Sequence, residues 1–252
     1  MQNWKGRLRA SGIHLGISLC IAALAAALVF GFWYPYPYRE ISGGRELFFL
    51  VVVVDVIMGP LITLVIFNRA KPRRELLMDF TAVGFLQFAA LGYGLWTVFA
   101  ARPVHLVFEY TRMSVVHAIE VDDDLLAKAP PSLQKLPLTG PTVIALRPFK
   151  NPAEEFDATR AALNGVSLAT RSDLWQVYEA ARAEVLKEAK PAAALRERFS
   201  SQAVQIDHAI AATARPVTGL RYLPLLGRNT AWTVLLDAET AEPLGFLPLD
   251  SF

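Results

Sequence analysis

Three apolar runs crowd the first hundred residues, and each is long enough to cross a bilayer, which takes about 20 mostly apolar residues. The first covers 11–33 and contains the uncharged stretch IAALAAALVFGF. The second, 47–68, carries Asp55 and the pair Gly59-Pro60. The third, 80–101, holds Gln87 and Tyr93 but no formal charge. A buried soluble bundle is the competing way to hide such runs, but three in succession are rare outside membranes. Composition agrees: 54% of residues are hydrophobic and only 19% charged, against about 25% charged in an average soluble domain. The expected fold is a membrane protein with a three-helix transmembrane domain, residues 1–101, followed by an α+β domain, residues 102–252.

Basic residues set the expected orientation. Lys5, Arg7 and Arg9 precede the first span, and Arg69, Lys71, Arg73 and Arg74 lie between the second and third. The loop between the first two spans has only Arg39 and Arg45, offset by Glu40 and Glu46. The positive-inside rule then puts the N-terminus in the cytoplasm and the C-terminal domain outside, in the periplasm of a Gram-negative cell. Trp33, Tyr34, Tyr36 and Tyr38 read as an aromatic belt at the outer end of the first span, with Trp96 near that of the third and Trp4 at the inner face. A cleaved signal peptide is the alternative for residues 1–32. The apolar stretch exceeds the 7–15 residues of such a segment and more spans follow, so an anchor is expected.

Residues 1–101 carry a net +4 and residues 102–252 a net −2, a balance that leaves no footprint for nucleic acid. One cysteine in the whole chain excludes an intramolecular disulfide framework or a multi-thiolate zinc site. Strands are expected at 104–109 and 113–119 around a turn at Thr111-Arg112, and at 142–146, 221–226, 232–236 and 244–247. Asp122-Asp123-Asp124 and the proline-rich 130–141 read as loop. Pro152 opens a helix that Gly165 ends. Ser172 is expected to cap a longer helix with Leu174, Val177, Tyr178, Ala181 and Val185 along one stripe, broken at Pro191. Residues 202–213 continue the helical pattern.

The search for chemistry finds no enzyme signature. His14, His105, His117 and His208 lack metal-binding spacing, and the aspartate triplet lacks the alternation of a calcium loop. No nucleophile elbow, phosphate loop or C-x-x-C occurs. No catalytic residue, cofactor or metal is expected.

The spans carry more information. At 1.5 Å per residue, Asp55 stands roughly 20 Å above the cytoplasmic end of its span and Tyr93 roughly 21 Å above that of the third. The expectation is therefore an Asp55–Tyr93 pair, with Gly92 and Gly94 allowing close helix approach. Ser18, Thr63 and Gln87 would form a second polar layer roughly 7–12 Å up, and His14 would lie too low to reach Asp55. Pro60 removes one backbone bond, frees the carbonyl of Val56 and kinks the span just below the acid. An intramembrane acid is a functional-site hypothesis; its structural alternative is a clasp that merely fastens the bundle.

The stretches RLRASGIHLGISL, WYPYPYREISGGRELF, VDVIMGPLITLVIFN, AKPRREL, ALGYGLWTVFAARPVHLVFE, RYLPLLGR and LLDAETAEPLGFLPLD resemble the TfpX/TfpZ family of type IV pilin accessory proteins. The likeness covers all three spans, the strand after them and the C-terminal hairpin. It departs at Tyr110-Thr111-Arg112-Met113, where an Asp-Arg-Phe-like turn is expected. The resemblance implies a bacterial inner-membrane accessory factor that helps its cognate pilin be stabilised, extracted or assembled, with the pilus assembly machinery as a further expected partner, without catalysis. The alanine-rich face Ala22-Ala23-Ala26-Ala27 is then the candidate groove for a pilin helix, and residues 102–252 the surface for its head. A membrane enzyme modifying pilin or envelope glycan is the alternative, with Arg39, Glu40, Arg45 and Glu46 as its only polar cluster at the outer surface.

Overall fold

A computed structural model describes residues 2–67 and 71–252. The expected end of the second span at Asn68, and Arg69 of the basic loop, lie outside the described residues. The chain forms two compact units, Met1–Arg102 and Pro103–Phe252.

The first unit contains three helices long and apolar enough to cross a membrane: Trp4–Trp33, Gly44–Ile66 and Arg73–Ala100. The first and third begin about a turn or two before the apolar runs do. Lys, Arg, Glu and Leu at those ends are good helix formers, and their long stems can lie along apolar surface with the charge turned to water. Leu24, Val65 and Phe85 point outward and are largely exposed, a surface suited to hydrocarbon and costly in water.

The apolar core of this unit gathers at one end. Ala25, Val29, Tyr34, Phe48, Val51 and Val98 form its core. The Tyr34 hydroxyl donates to the Val98 carbonyl at 3.0 Å, and its ring lies so near Gly44 that a Cβ there would meet it at 2.4 Å. Gly94 faces Val51, which a Cβ would meet at 2.7 Å, whereas Gly92 faces open space. Of the two glycines expected to admit a neighbour, Gly94 alone does so. The aromatic belt is also corrected in part. Tyr34 and Tyr38 are buried as packing residues, while Tyr36, Trp96 and Trp4 are exposed. Wide π turns occupy Val29–Trp33 and Val53–Met58. The second stands immediately before Gly59-Pro60, where the proline lacks an N–H and the backbone rearranges around the missing bond.

The second unit is built on one mixed sheet. Its strands are β1 (Pro103–Glu109), β2 (Arg112–His117), β3 (Thr142–Leu146), β4 (Trp175–Val177), β5 (Lys190–Pro191), β6 (Leu220–Leu226), β7 (Ala231–Asp237) and β8 (Pro243–Leu247). They run in the order β4-β3-β1-β2-β6-β7-β8, with β5 paired to β6. β1 and β2 form a hairpin that closes on the pair Glu109–Arg112, so the turn is Tyr110-Thr111 and Tyr110 takes φ +58°. β1 pairs parallel with β3, and β2 parallel with β6. One core gathers around Trp175, Val107 and Ile144, and another around Tyr222, Leu235 and Ile206.

Two expectations fail here. The helix expected from Ser172 is instead a 3-10 turn Ser172–Leu174, strand β4, a second 3-10 turn Tyr178–Ala181 and a short helix Arg182–Glu188. Leu174, Trp175, Tyr178, Ala181 and Val185 are all buried, but Val177 is not. Long-range bonds override helical spacing: the Trp175 indole donates to the Ala169 carbonyl at 2.9 Å, the Tyr178 hydroxyl to the Ala241 carbonyl at 2.7 Å, and residues 175–177 complete the β3 edge. The aspartate triplet is likewise no plain loop. Asp122 accepts from the Leu125 N–H at 3.0 Å and caps a single helical turn, Asp123–Leu126. The helix Pro152–Leu163 forms as expected, capped by Asn151 and followed by Gly165 at φ +87°.

Candidate functional site

Polar side chains inside the three-helix unit converge on the second helix. The Ser11 hydroxyl donates to the Pro60 carbonyl at 2.9 Å. His14 Nδ1 lies 2.5 Å from Thr63 Oγ1. The Gln87 amide donates to the backbone carbonyl of Asp55 at 3.3 Å. That last contact exists because residue 59 is glycine: a Cβ there would come within 1.9 Å of the Gln87 amide nitrogen. Pro60, Thr63 and Gln87 therefore fasten the first and third helices to the second.

Asp55 sits at the midpoint of the helix Gly44–Ile66, inside the π turn. Its side chain is only 7% exposed, and neither carboxyl oxygen has a hydrogen-bond partner among the described residues. The acid lines a cavity of about 380 Å³ together with Ile17, Ser18, Gly84, Gln87 and Phe88. Ser18 and Gln87 of the second expected layer therefore share one space with Asp55, and His14, expected lower, lines it too.

Tyr93 is not part of this arrangement. It is 70% exposed, its ring lies 6.0 Å from that of Trp96, and its carbonyl accepts from the Thr97 hydroxyl at 2.9 Å. The expected Asp55–Tyr93 pair is overturned: the depths match, but the tyrosine points away. Gln87 and Tyr93 are six residues apart, which turns one about 240° around the axis from the other, and it is the Gln87 side that faces Asp55.

The alanines divide similarly. Ala22 and Ala26 are half-buried, Ala23 and Ala27 are exposed, and Ala25, outside the expected set, packs into the core. The polar cluster in the loop between the first two helices is self-neutralised. Arg45 donates to both carboxyl oxygens of Glu40 at 3.0 Å each, and Arg39 lies 3.4 Å from it. At the opposite connection Lys71 pairs with Asp79 at 2.5 Å.

In the sheet unit the buried polar groups serve packing. His105 Nδ1 lies 2.8 Å from Thr142 Oγ1, with its ring edge-on to Trp175 at 4.7 Å. Burial pushes its pKa down to about 4. His117 caps the turn Ala118–Glu120, with Glu120 bonded to its backbone and ring nitrogen. Arg147 grips both oxygens of Glu154 at 2.9 and 2.7 Å, and that bond, with the Lys150 N–H, holds the Glu154 carboxyl down at about 2.

A family profile described as Fimbrial assembly protein FimB matches residues 2–43. Over 229 residues the chain is 35% identical to the fimbrial assembly protein, serogroup I, of Dichelobacter nodosus, covering 90% of this chain and 89% of the relative. The chain belongs to the fimbrial assembly protein family. The serogroup E1 relative from the same organism is 33% identical with the same coverage, and the protein of serogroups C1 and C2 is 41% identical over 119 residues, 47% of this chain. No solved structure matches. The segment that the family profile covers runs through the first apolar helix to the buried Tyr34 and Tyr38.

Proposed function

We propose that this fimbrial assembly protein is an inner-membrane accessory factor that acts, chaperone-like, on a type IV pilin during fimbrial biogenesis. Its N-terminus lies in the cytoplasm and residues 103–252 in the periplasm. The observation that carries the reading is the 35% identity to a fimbrial assembly protein along 90% of the chain, joined to an N-terminal unit that turns its apolar side chains outward. The TfpX/TfpZ resemblance and the basic residues flanking the spans support the finer statement and the orientation.

A subunit waiting in the membrane on one apolar helix needs contacts at two levels. Ala23 and Ala27 offer an exposed small-residue face along which another helix can approach closely. The sheet unit offers a surface for the subunit's head. Each contact is weak, and tethering in one chain raises their joint affinity. A catalytic reading would draw its acid from Glu40 or Glu46, and the arginines around Glu40 leave that carboxylate already occupied.

Deleting the chain should abolish or sharply reduce surface fimbriae, counted by electron microscopy. Replacing Ala23 and Ala27 with Leu should weaken the helix contact and lower fimbriation while the protein still inserts. Normal fimbriation in the deletion would sink the function, and a reporter fused after Phe252 that works only in the cytoplasm would sink the orientation.

A further inference from the structure

The cavity beside Asp55 has apolar walls and an unanswered acid. Ile13 and Ile17 of the first helix form one wall, and Val83 and Phe88 of the third form the other. Asp55 enters from the second helix, where the π turn Val53–Met58 carries it; single π turns recur at functional sites. We propose that this cleft is the docking groove for the fimbrial subunit's apolar helix, and that the subunit holds it with a protonated nitrogen at mid-bilayer depth. The identity of the partner rests on the function proposed above; the groove and the chemistry of the contact rest on the cleft itself.

Two occupants fit apolar walls in a bilayer, an acyl chain and a helix. Asp55 decides between them. It stands eleven residues from either end of Gly44–Ile66, roughly 16 Å from each boundary of the span. A lipid headgroup amine stays at that boundary, and an acyl chain has no donor to offer. A helix can deliver a donor at any depth. Both Asp55 oxygens are shielded and lack a partner, a state costly inside a membrane unless an opposite charge or donor meets it. Among the described residues none bonds either oxygen: His14 Nδ1 is engaged with Thr63, the Gln87 amide reaches the Asp55 backbone carbonyl instead, and the described lysines and arginines of the three-helix unit lie at the helix ends and in the connections. The groove is also open on its third-helix side, where a Cβ on Gly84 would meet nothing within 4 Å. It does not include Ala23 or Ala27, so a subunit with one apolar helix occupies either this cleft or that face, and the crosslinks below tell the two apart.

The test is site-specific photo-crosslinking in intact cells that produce the full chain and a tagged cognate subunit. A crosslinker in place of Phe88 should capture the subunit's apolar helix, in a peptide bearing an amine, Lys, Arg or His within a turn of the linkage. Asp55→Asn should lower the yield about tenfold, the worth of one interhelical bond, and Asp55→Glu should stay within about threefold of the parent. Gly84→Leu fills the groove with Asp55 intact and should cost as much as Asp55→Asn. Yields indifferent to both changes at equal protein levels overturn the proposal, as do capture of lipid alone, capture of a different protein, or a captured peptide without a basic nitrogen. Subunit crosslinks from Ala23 but none from Phe88 would overturn this groove and leave the assembly role standing. Normal fimbriation in the deletion strain would remove the assembly role itself.

Discussion

The two units solve opposite packing problems with similar residues. In the sheet unit, Val107, Phe108, Leu174, Trp175 and Leu235 are buried, and the charged side chains pair at the rim, as Arg147 does with Glu154 and Arg171 with Asp173. In the helical unit, Leu24, Val65 and Phe85 face outward, while Ser18, Asp55 and Thr63 are inside. An apolar side chain is therefore worth different amounts in the two units. Burial drives the sheet unit's fold, whereas under the proposed membrane location a leucine of the helical unit would exchange one hydrocarbon contact for another and gain little. What specifies the helical unit is close approach at glycine and a few polar contacts.

That contrast predicts its largest effect at Trp175. Its indole is buried against β1 and β3 and bonded to Ala169, so Trp175→Ala should cost about 3–5 kcal/mol and lower the denaturation midpoint of the full chain in detergent. Phe85→Ala, also an aromatic truncation but on the outward face of the third helix, should cost well under 1 kcal/mol. Equal losses at the two sites would mean that the helical unit is packed like a soluble bundle.

His105 sharpens the same comparison through pH. Burial lowers its pKa to about 4, from about 6.5 in an unfolded chain. The unfolded state therefore takes up the proton first, and stability present at neutral pH is lost as pH falls from about 6.5 through 4. The full shift corresponds to roughly 3 kcal/mol. His105→Gln should flatten that part of the pH–stability curve, read as the melting temperature of the sheet unit within the full chain. Glu154, held down at about 2 by Arg147, adds a further loss in the same direction, but between about 4.5 and 2. A curve unchanged between pH 7 and 4 by the His105 substitution would contradict this account.

A smaller effect separates two glycines on facing helices. Gly59 lies against the Gln87 amide, and Gly84 faces open space. Gly59→Ala should push Gln87 off the Asp55 carbonyl at a cost of about 1–3 kcal/mol, whereas Gly84→Ala should be neutral or slightly stabilising through helix propensity. Thermal melts in one detergent rank the pair, and the reverse order would mean that the second and third helices do not pack as described.

Much of this was legible from the residues alone, and what was not has physical causes. Run length identified the three apolar helices because hydrocarbon thickness imposes one number. Short apolar, β-branched runs bounded by turn residues placed six strands, although β1 and β7 are buried almost throughout and carry no alternation. The segment 172–188 defeated the same reasoning: Leu174, Tyr178, Ala181 and Val185 have helical spacing and are buried, yet the bonds that fold them reach Ala169, Leu146 and Ala241. No local pattern records such partners. Within the candidate site, counting residues singled out Asp55, Thr63 and Gln87 but put Gln87 in a layer apart from the acid whose carbonyl it reaches. Orientation about the helix axis was not readable, because an apolar residue on every side removes the amphipathic stripe that would mark the inward face. Gly59 was the available signal, since a glycine one turn from a buried acid marks where a neighbour comes close.

The smallest effect tests that lesson at Tyr93. If depth alone governed pairing, Tyr93→Phe would strand the Asp55 carboxyl and cost about as much as a lost interhelical bond, 0.6–2 kcal/mol. The tyrosine instead faces outward beside Trp96, so removing its hydroxyl should change the melting temperature and the cellular level of the protein by no more than the scatter of a surface substitution, about 0.5 kcal/mol. Gln87→Leu provides the matched control. It removes the donor to the Asp55 carbonyl and presses a branched side chain toward Gly59, so it should exceed Tyr93→Phe severalfold. A Tyr93→Phe loss equal to that of Gln87→Leu would return the tyrosine to the interior and place the Asp55 contact on the other side of the third helix.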